Sequence, residues 1–351
     1  MGAGGDPGSY RAGLDSGALL AGPGSLGLHE KSIPVRSAGL GSKRLVALGV
    51  QRMSVANGAI VLIDEVETGL EPHRLRHLVS TLRDAAADGG TMGQVFLTTH
   101  SPTSVVDTDA ETLAVVRSEQ GKTTVSRVPA GLQAVVRAAP DALLARRVVV
   151  AEGKTELGLC RAMATGWSES NQGVPAAHVG CVFVLGNGNA QAPTRSIEIA
   201  SLGYDVALLA DSDQPLNPAP QELAQGGVEL FQWDEETCLE ERLALDLPID
   251  ALSEVLEFAI ELRGSQSVLD SLSDSVGNGV GRQESVEEYL RAGVSEEDIR
   301  TFIGQCANGQ KWFKREDHGE RLGGIVVAHL DAMNGTDTLQ KLNALRDWVY
   351  A

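Results

Sequence analysis

The chain is 351 residues long, 42% hydrophobic and 22% charged, and its 29 basic against 47 acidic residues leave a net charge of −18. That length predicts two or three domains in an ordinary globular composition, with no apolar run long enough to span a bilayer and no secretory pattern at the N-terminus. The acidic balance argues against a protein that coats DNA but leaves a nuclease open, because metal-binding carboxylates count in the same total. Cys160, Cys181, Cys238 and Cys306 lie far apart with no CxxC pair, which argues against a zinc ribbon or disulfide scaffold and fits a reducing cytoplasm.

Residues 1–25 are rich in Gly, Ala, Ser and Pro and read as a flexible lead-in. Residues 26–35 read as one short strand with a turn. Ser37-Ala38-Gly39-Leu40-Gly41-Ser42-Lys43-Arg44-Leu45 is a glycine-rich loop feeding a helix, where backbone N–H groups and the helix dipole favour a phosphate. Ala59-Ile60-Val61-Leu62-Ile63-Asp64-Glu65 is an apolar strand ending in two acids, the pattern of a Walker B strand. In that pattern the first acid holds Mg²⁺ and the second positions or activates the attacking water. After Pro72 a helix is predicted with Leu75, Leu78, Val79 and Leu82 on one face. Gln94 to His100 reads as another buried strand ending in a histidine that could reach a γ-phosphate.

Together these pieces resemble the second half of an ABC-type ATPase head, of the kind found in DNA-repair and chromosome-maintenance ATPases, over about residues 37–105. The resemblance implies ATP with Mg²⁺ at Gly39, Gly41, Ser42, Asp64 and Glu65, catalytic roles for Glu65 and His100, and a homodimer formed through the head. The loop departs from the usual Ser-Gly-Gly by reading Ala38-Gly39-Leu40-Gly41. A P-loop needs Gly, four residues, then Gly-Lys-Ser/Thr. At Gly121-Lys122-Thr123 and Gly153-Lys154-Thr155 the first-glycine positions hold Val116 and Val148. The expectation is the C-terminal part of a longer protein, unable to hydrolyse ATP by itself.

Residues 111–128 alternate apolar and polar around Glu119-Gln120-Gly121-Lys122, a hairpin signal. Residues 130–145 read as a linking helix broken at Pro140. The ATPase half is thus expected to span 26–140 and a second domain 146–351. There strands predicted at Val148–Ala151, Cys181–Leu185, Val206–Ala210 and Val228–Phe231 alternate with helices at Thr155–Thr165, Pro193–Leu202 and Pro220–Gln225. Such alternation predicts an α/β fold with a parallel sheet. The first strand ends in Glu152-Gly153-Lys154-Thr155-Glu156, which puts two carboxylates one helical turn apart at the sheet edge where open α/β sheets bind ligands. The third ends in Asp211-Ser212-Asp213, an Asp-x-Asp pair whose side chains would point the same way on a strand. Carboxylates held together repel unless a cation or proton lies between them, and Mg²⁺ or Mn²⁺ suits such hard oxygen donors.

Glu152-Gly153 and Asp211-Ser212-Asp213 resemble the two motifs of a Toprim domain, the metal-binding fold of topoisomerases, primases and some nucleases. An ABC head followed by a Toprim domain resembles the OLD (overcoming lysogenization defect) family of ATP-dependent endonucleases. That resemblance implies metal-dependent cleavage or nicking of DNA, regulation by the ATPase, anti-phage defence or DNA repair as a setting, and a helicase-like partner protein. It also implies a helical insertion, here about 243–308, followed by closing helices at 323–330 and 339–349. Leu239-Glu240 resembles the family's additional acid, with Glu236 and Glu241 as alternatives. Lys311-Trp312-Phe313-Lys314-Arg315 resembles its late basic motif, with Lys314 assigned ahead of Lys311. Glu152, Glu156, Asp211, Asp213 and Glu240 are the expected ligands of two Mg²⁺ or Mn²⁺ ions, with Glu152, Asp211 and Lys314 catalytic. A topoisomerase needs a nucleophilic tyrosine, and none of Tyr10, Tyr204, Tyr289 and Tyr350 has recognisable surroundings. The other alternative is an ABC-type sensor or DNA clamp whose Toprim domain recruits a partner.

Overall fold

A computed structural model describes residues 10–14, 26–54, 58–87, 93–277 and 279–351. The chain divides into two compact units, Met1–Thr108 and Asp109–Ala351. The division falls before the 140–146 boundary expected from sequence, because the hairpin after Thr108 packs on the second unit. Its Arg117 guanidinium lies 4.2 Å from the centre of the Tyr204 ring and donates from Nε to the Leu202 carbonyl at 3.1 Å.

In the first unit, β1 (Tyr10–Leu14), β2 (Leu26–Glu30) and β3 (Ile33–Pro34) form an antiparallel sheet in that order. Tyr10–Leu14 is therefore a strand rather than flexible lead-in, and the rest of that stretch, 1–9 and 15–25, lies outside the described residues. Then come α1 (Leu40–Ser54), β4 (Ile60–Ile63), α2 (Pro72–Ala86), β5 (Gln94–Leu97) and α3 (Pro102–Val106). β4 and β5 pair in parallel with Ile63 opposite Leu97, so β5 stops three residues short of His100. Alternation along the pair sends Val61, Ile63, Val95 and Leu97 into a core with Leu45, Leu75, Leu78 and Leu82 of α1 and α2. Ile60, Leu62 and Phe96 point the other way and are 63%, 76% and 56% exposed.

The second unit opens with β6 (Ala114–Glu119) and β7 (Lys122–Arg127), joined through Gln120 and Gly121. Both have positive φ, as a two-residue I′ hairpin turn requires. The linking segment is broken before Pro140 as read, its α-helical part being α4 (Gln133–Ala138) between 3₁₀ turns, since Pro140 cannot continue an α-helical ladder. A parallel sheet follows in the order β11-β10-β8-β9. Its elements are β8 (Arg147–Ala151), α5 (Lys154–Ser170), β9 (Cys181–Leu185), α6 (Ala192–Ala200), β10 (Asp205–Ala210), α7 (Pro220–Gln225) and β11 (Val228–Gln232). The uninterrupted apolar runs Val148–Ala151 and Val206–Ala210 are buried on both sheet faces, as central parallel strands must be.

The helical region contains α8 (Leu239–Asp246), α9 (Ile249–Arg263), α10 (Ser265–Val276), α11 (Val286–Arg291) and α12 (Glu296–Gly309). Two further helices close the chain, α13 (Glu316–Ala328) and α14 (Asp337–Tyr350). α13 thus begins seven residues before the closing helix expected at 323. It crosses α5 at backbone contact distance. A Cβ on Gly158 would lie 2.0 Å from the Glu316 carbonyl oxygen, and one on Gly319 would lie 2.0 Å from that of Thr155. This crossing fixes the late basic segment, because the Thr155 hydroxyl donates to the Phe313 carbonyl at 3.1 Å while Trp312 and Phe313 are buried.

Candidate functional site

The acids of the second unit meet where the sheet changes direction. From β8 the chain runs through α5 to β9 on one side, then crosses back through α6 to β10 on the other. Connections leaving β8 and β10 on opposite sides open a crevice between two adjacent strand ends. Glu152 follows β8 and Asp211 follows β10, with Ala151 opposite Leu209. The Asp211 N–H donates to Glu152 Oε2 at 3.1 Å, joining the two motifs directly.

Glu156 lies one turn into α5 and is 5% exposed. Its carboxylate comes so close to Gly153 that a Cβ there would lie 2.4 Å from Oε2, which accounts for the glycine after Glu152. Burial, then the charges of Glu240 and Glu152, push the Glu156 carboxyl up to about 7. Asp211 is raised well above the usual range by burial, then by Glu156, Glu152, Glu240 and Asp213. Glu152 is raised mainly by burial, against hydrogen bonds from the Asp211 and Asn189 backbones.

Glu240 opens α8 and is buried, and its Oε1 accepts from Lys314 Nζ at 3.1 Å. Burial is the largest single influence and disfavours the Lys314 ammonium, but the Glu240 charge and hydrogen bond, with the Glu156 charge, together outweigh it and raise the lysine. The alternatives make other contacts. Glu236 is exposed in a turn with φ 53°, and Glu241 accepts from the Cys238 N–H at 3.2 Å and from Asn308 Nδ2 at 3.2 Å. Lys311 is exposed in a left-handed turn whose carbonyl is held by Arg263.

Asp213 corrects one premise. β10 ends at Ala210, so the Asp-x-Asp acids are not alternate residues of a strand. The Ser212 N–H donates to the Thr237 carbonyl at 2.9 Å and turns the chain, leaving Asp213 exposed. Burial and the Glu241 charge raise its carboxyl.

Three contributors went unread in the sequence. Trp233 Nε1 donates to Asp211 Oδ1 at 3.1 Å, and Gln232 Nε2 to the Asp211 carbonyl at 2.7 Å. Gly186-Asn187-Gly188-Asn189 folds over the end of β8, with Gly186 and Gly188 donating to the Ala151 and Glu152 carbonyls at 2.7 and 2.8 Å. The signal available was its position, a glycine-rich break immediately after a strand of the same sheet edge.

The donor set fits Mg²⁺ or Mn²⁺ chemically, being all oxygen and mutually repelling. The geometry is not one of ready coordination. Among the described residues no group of three or more His, Cys, Asp or Glu side chains is arranged to hold an ion, so a cation would have to draw these acids closer.

In the first unit the two acids after β4 are tied to β5. Thr98 Oγ1 donates to Asp64 Oδ1 at 2.5 Å and accepts from the Glu65 N–H at 2.8 Å. Glu65 has φ 45°, and its Oε2 accepts from the Thr68 hydroxyl at 3.1 Å. Arg44 of α1 donates to the Asp64 and Glu65 carbonyls at 2.5 and 2.7 Å, joining the glycine-rich helix to this strand end. Gly41 sits where a Cβ would be 2.0 Å from the Gly69 carbonyl oxygen, and Ser42 Oγ accepts from Arg74 at 3.4 Å. Gly39 is exposed just ahead of α1. His100 is exposed, its N–H donating to Glu67 Oε1 at 2.7 Å, while Thr99 Oγ1 donates to Glu67 Oε2 at 2.7 Å. Burial of Glu67 is outweighed by these bonds, which hold its carboxyl below the usual range.

A glycine-rich helix start, two strand-end acids and a histidine at one sheet edge define an ATPase-type domain. Residues 27–107 match the family described as AAA domain, putative AbiEii toxin, Type IV TA system. Among curated proteins none matches the chain. Among the described residues no helix is long and apolar enough to cross a membrane.

Proposed function

We propose that the second unit hydrolyses phosphodiester bonds in DNA with bound divalent cations, as a Toprim-type nuclease controlled by the ATPase-type domain in the manner of the OLD family. The observation that carries this reading is the bond from the Asp211 N–H to Glu152 Oε2 at a sheet switch point, with Glu156 and Glu240 crowding the same carboxylates. Glu152, Glu156, Asp211 and Asp213 hold the cations, joined by Glu240 when Lys314 releases it. When bound, Mg²⁺ or Mn²⁺ supplies Lewis acidity for a water attacking an in-line phosphodiester. Lys314, 46% exposed at its side chain, turns its ammonium to the charge developing on the phosphate. ATP with Mg²⁺ belongs to the first unit, at Gly39, Gly41, Ser42, Asp64 and Glu65, with His100 at the γ-phosphate.

The test is nicking of supercoiled plasmid by wild type and Asp211→Asn in Mg²⁺ and Mn²⁺. Asparagine preserves shape and an acceptor oxygen while removing the charge. Nicking should fall at least about 100-fold with the fold intact, a loss of about 2.7 kcal/mol in the barrier. Undiminished nicking would reject the assignment.

One observation favours a second reading, in which the unit recruits a partner without cleaving. Glu240 is already paired with Lys314, and among the described residues no three acids are arranged to hold an ion. Failure of wild type to bind Mn²⁺ would decide for it.

A further inference from the structure

Trp233 is 2% exposed at the end of β11, and its only polar atom is directed at a carboxylate. Asp211 Oδ1 accepts from Trp233 Nε1 at 3.1 Å and from the Leu239 N–H, at the start of α8, at 2.9 Å. The Asp211 carbonyl accepts from Gln232 Nε2 at 2.7 Å. A position serving only to fill the core would be met by phenylalanine, whereas a buried indole N–H must find an acceptor. Two donors occupy Oδ1, which leaves Oδ2 as the oxygen that can accept something other than protein.

We propose that Trp233 is a positioning residue that fixes the Asp211 carboxylate so that it presents one oxygen, Oδ2, to a divalent cation. This rests on the reading of the acids as a cation site. The indole acts through Asp211 and touches neither cation nor substrate. Its N–H comes from the residue that follows β11 and that of Leu239 from the start of α8, so two separate parts of the chain set the orientation of a residue following β10. Without the indole donor the carboxylate can rotate about its Cβ–Cγ bond, and it must be ordered again at each binding event.

The test is Mn²⁺ binding to the full chain, followed by the paramagnetic resonance signal of free Mn²⁺ and by calorimetry, for wild type, Trp233→Phe and Asp211→Asn. Trp233→Phe should bind Mn²⁺ about 10- to 100-fold more weakly, the range for losing a hydrogen-bond partner of a metal ligand. In the Asp211→Asn background the same change should have no further effect on Mn²⁺ affinity. Unchanged affinity in Trp233→Phe, with binding lost in Asp211→Asn, would overturn the proposal and leave the cation site standing. Wild type that binds no Mn²⁺, or Asp211→Asn that binds as wild type does, would reject the cation site and the role of Trp233 together. A purely structural tryptophan would lower the melting temperature without moving Mn²⁺ affinity. Should Trp233→Phe fail to fold, 3-benzothienylalanine introduced at position 233 replaces the N–H by sulfur in a ring of the same shape, with the same outcomes deciding.

Discussion

A carboxyl group walled in by other carboxylates keeps its proton, and Glu156 shows the consequence for the metal-free protein. Its pKa in the folded chain is about 7, against 4.5 as the ordinary value. Between those values the folded chain holds a proton that the unfolded chain has released, so stability falls as pH rises through the window and levels off above it. With a chelator present, the melting temperature should drop from about pH 5 to about pH 8, this one group adding a slope of up to about 1.4 kcal/mol per pH unit. Asp211 and Glu152 are shifted in the same direction and steepen the fall. Glu156→Gln should remove part of the slope and raise the melting temperature at the alkaline end; equal slopes in the two proteins would contradict the placement of Glu156. Which residues surround Glu156 was only partly legible. The sequence put Glu152 and Glu156 on one strand end and Asp211 on another, since each motif sits next to its strand. It left Glu236, Glu240 and Glu241 open, because three acids on one turn and helix differ only in which way that helix faces.

At the level of elements, the crossing of α5 and α13 holds the lysine segment against the acids. Gly319 lies in the interior of α13, where alanine ordinarily stabilises a helix by about 1 kcal/mol. Here a Cβ would meet the Thr155 carbonyl oxygen at 2.0 Å. Gly319→Ala should therefore destabilise by roughly 1–3 kcal/mol, the range for overpacking, read as a lower urea midpoint. Gly324, in the same helix, has nothing within 4 Å of such a Cβ, and Gly324→Ala should raise the midpoint. A rise at both positions would refute the close crossing. The parallel strands of the second unit were legible nearly to the residue, because each is a short, mainly apolar run, and β8, β9 and β10 end abruptly in an acid or Gly. The start of α13 was not, although Glu316 and Asp317 in its first turn are the acids a helix N-terminus favours.

For the whole molecule, charge and motif content set limits on activity. Of the acidic residues 37 of 47 fall after Thr108, against 20 of the 29 basic ones, so the second unit carries nearly all the negative charge. On the proposed nuclease reading, DNA contact on that unit would be confined to local basic surface, and nicking should weaken steeply with added salt. In the first unit the purified chain should show no magnesium-dependent ATP turnover, since the sequence contains no Gly-x₄-Gly-Lys-Ser/Thr to hold the β- and γ-phosphates. Measurable turnover, abolished by Glu65→Gln, would overturn that expectation.

By itself the sequence determined the alternation of strand and helix, the parallel sheet, the strand ends that carry acids, and an ATPase-type pattern in the first hundred residues. Each follows from local rules, the burial of apolar runs and the abrupt polarity change at a strand's carboxyl end. Only the tertiary structure decided that β8 and β10 are neighbours, that Glu240 and Lys314 are the acid and lysine that meet, and that Trp233 holds Asp211. Those facts depend on strand order and on helix packing between residues far apart in the chain, about which local periodicity carries no information.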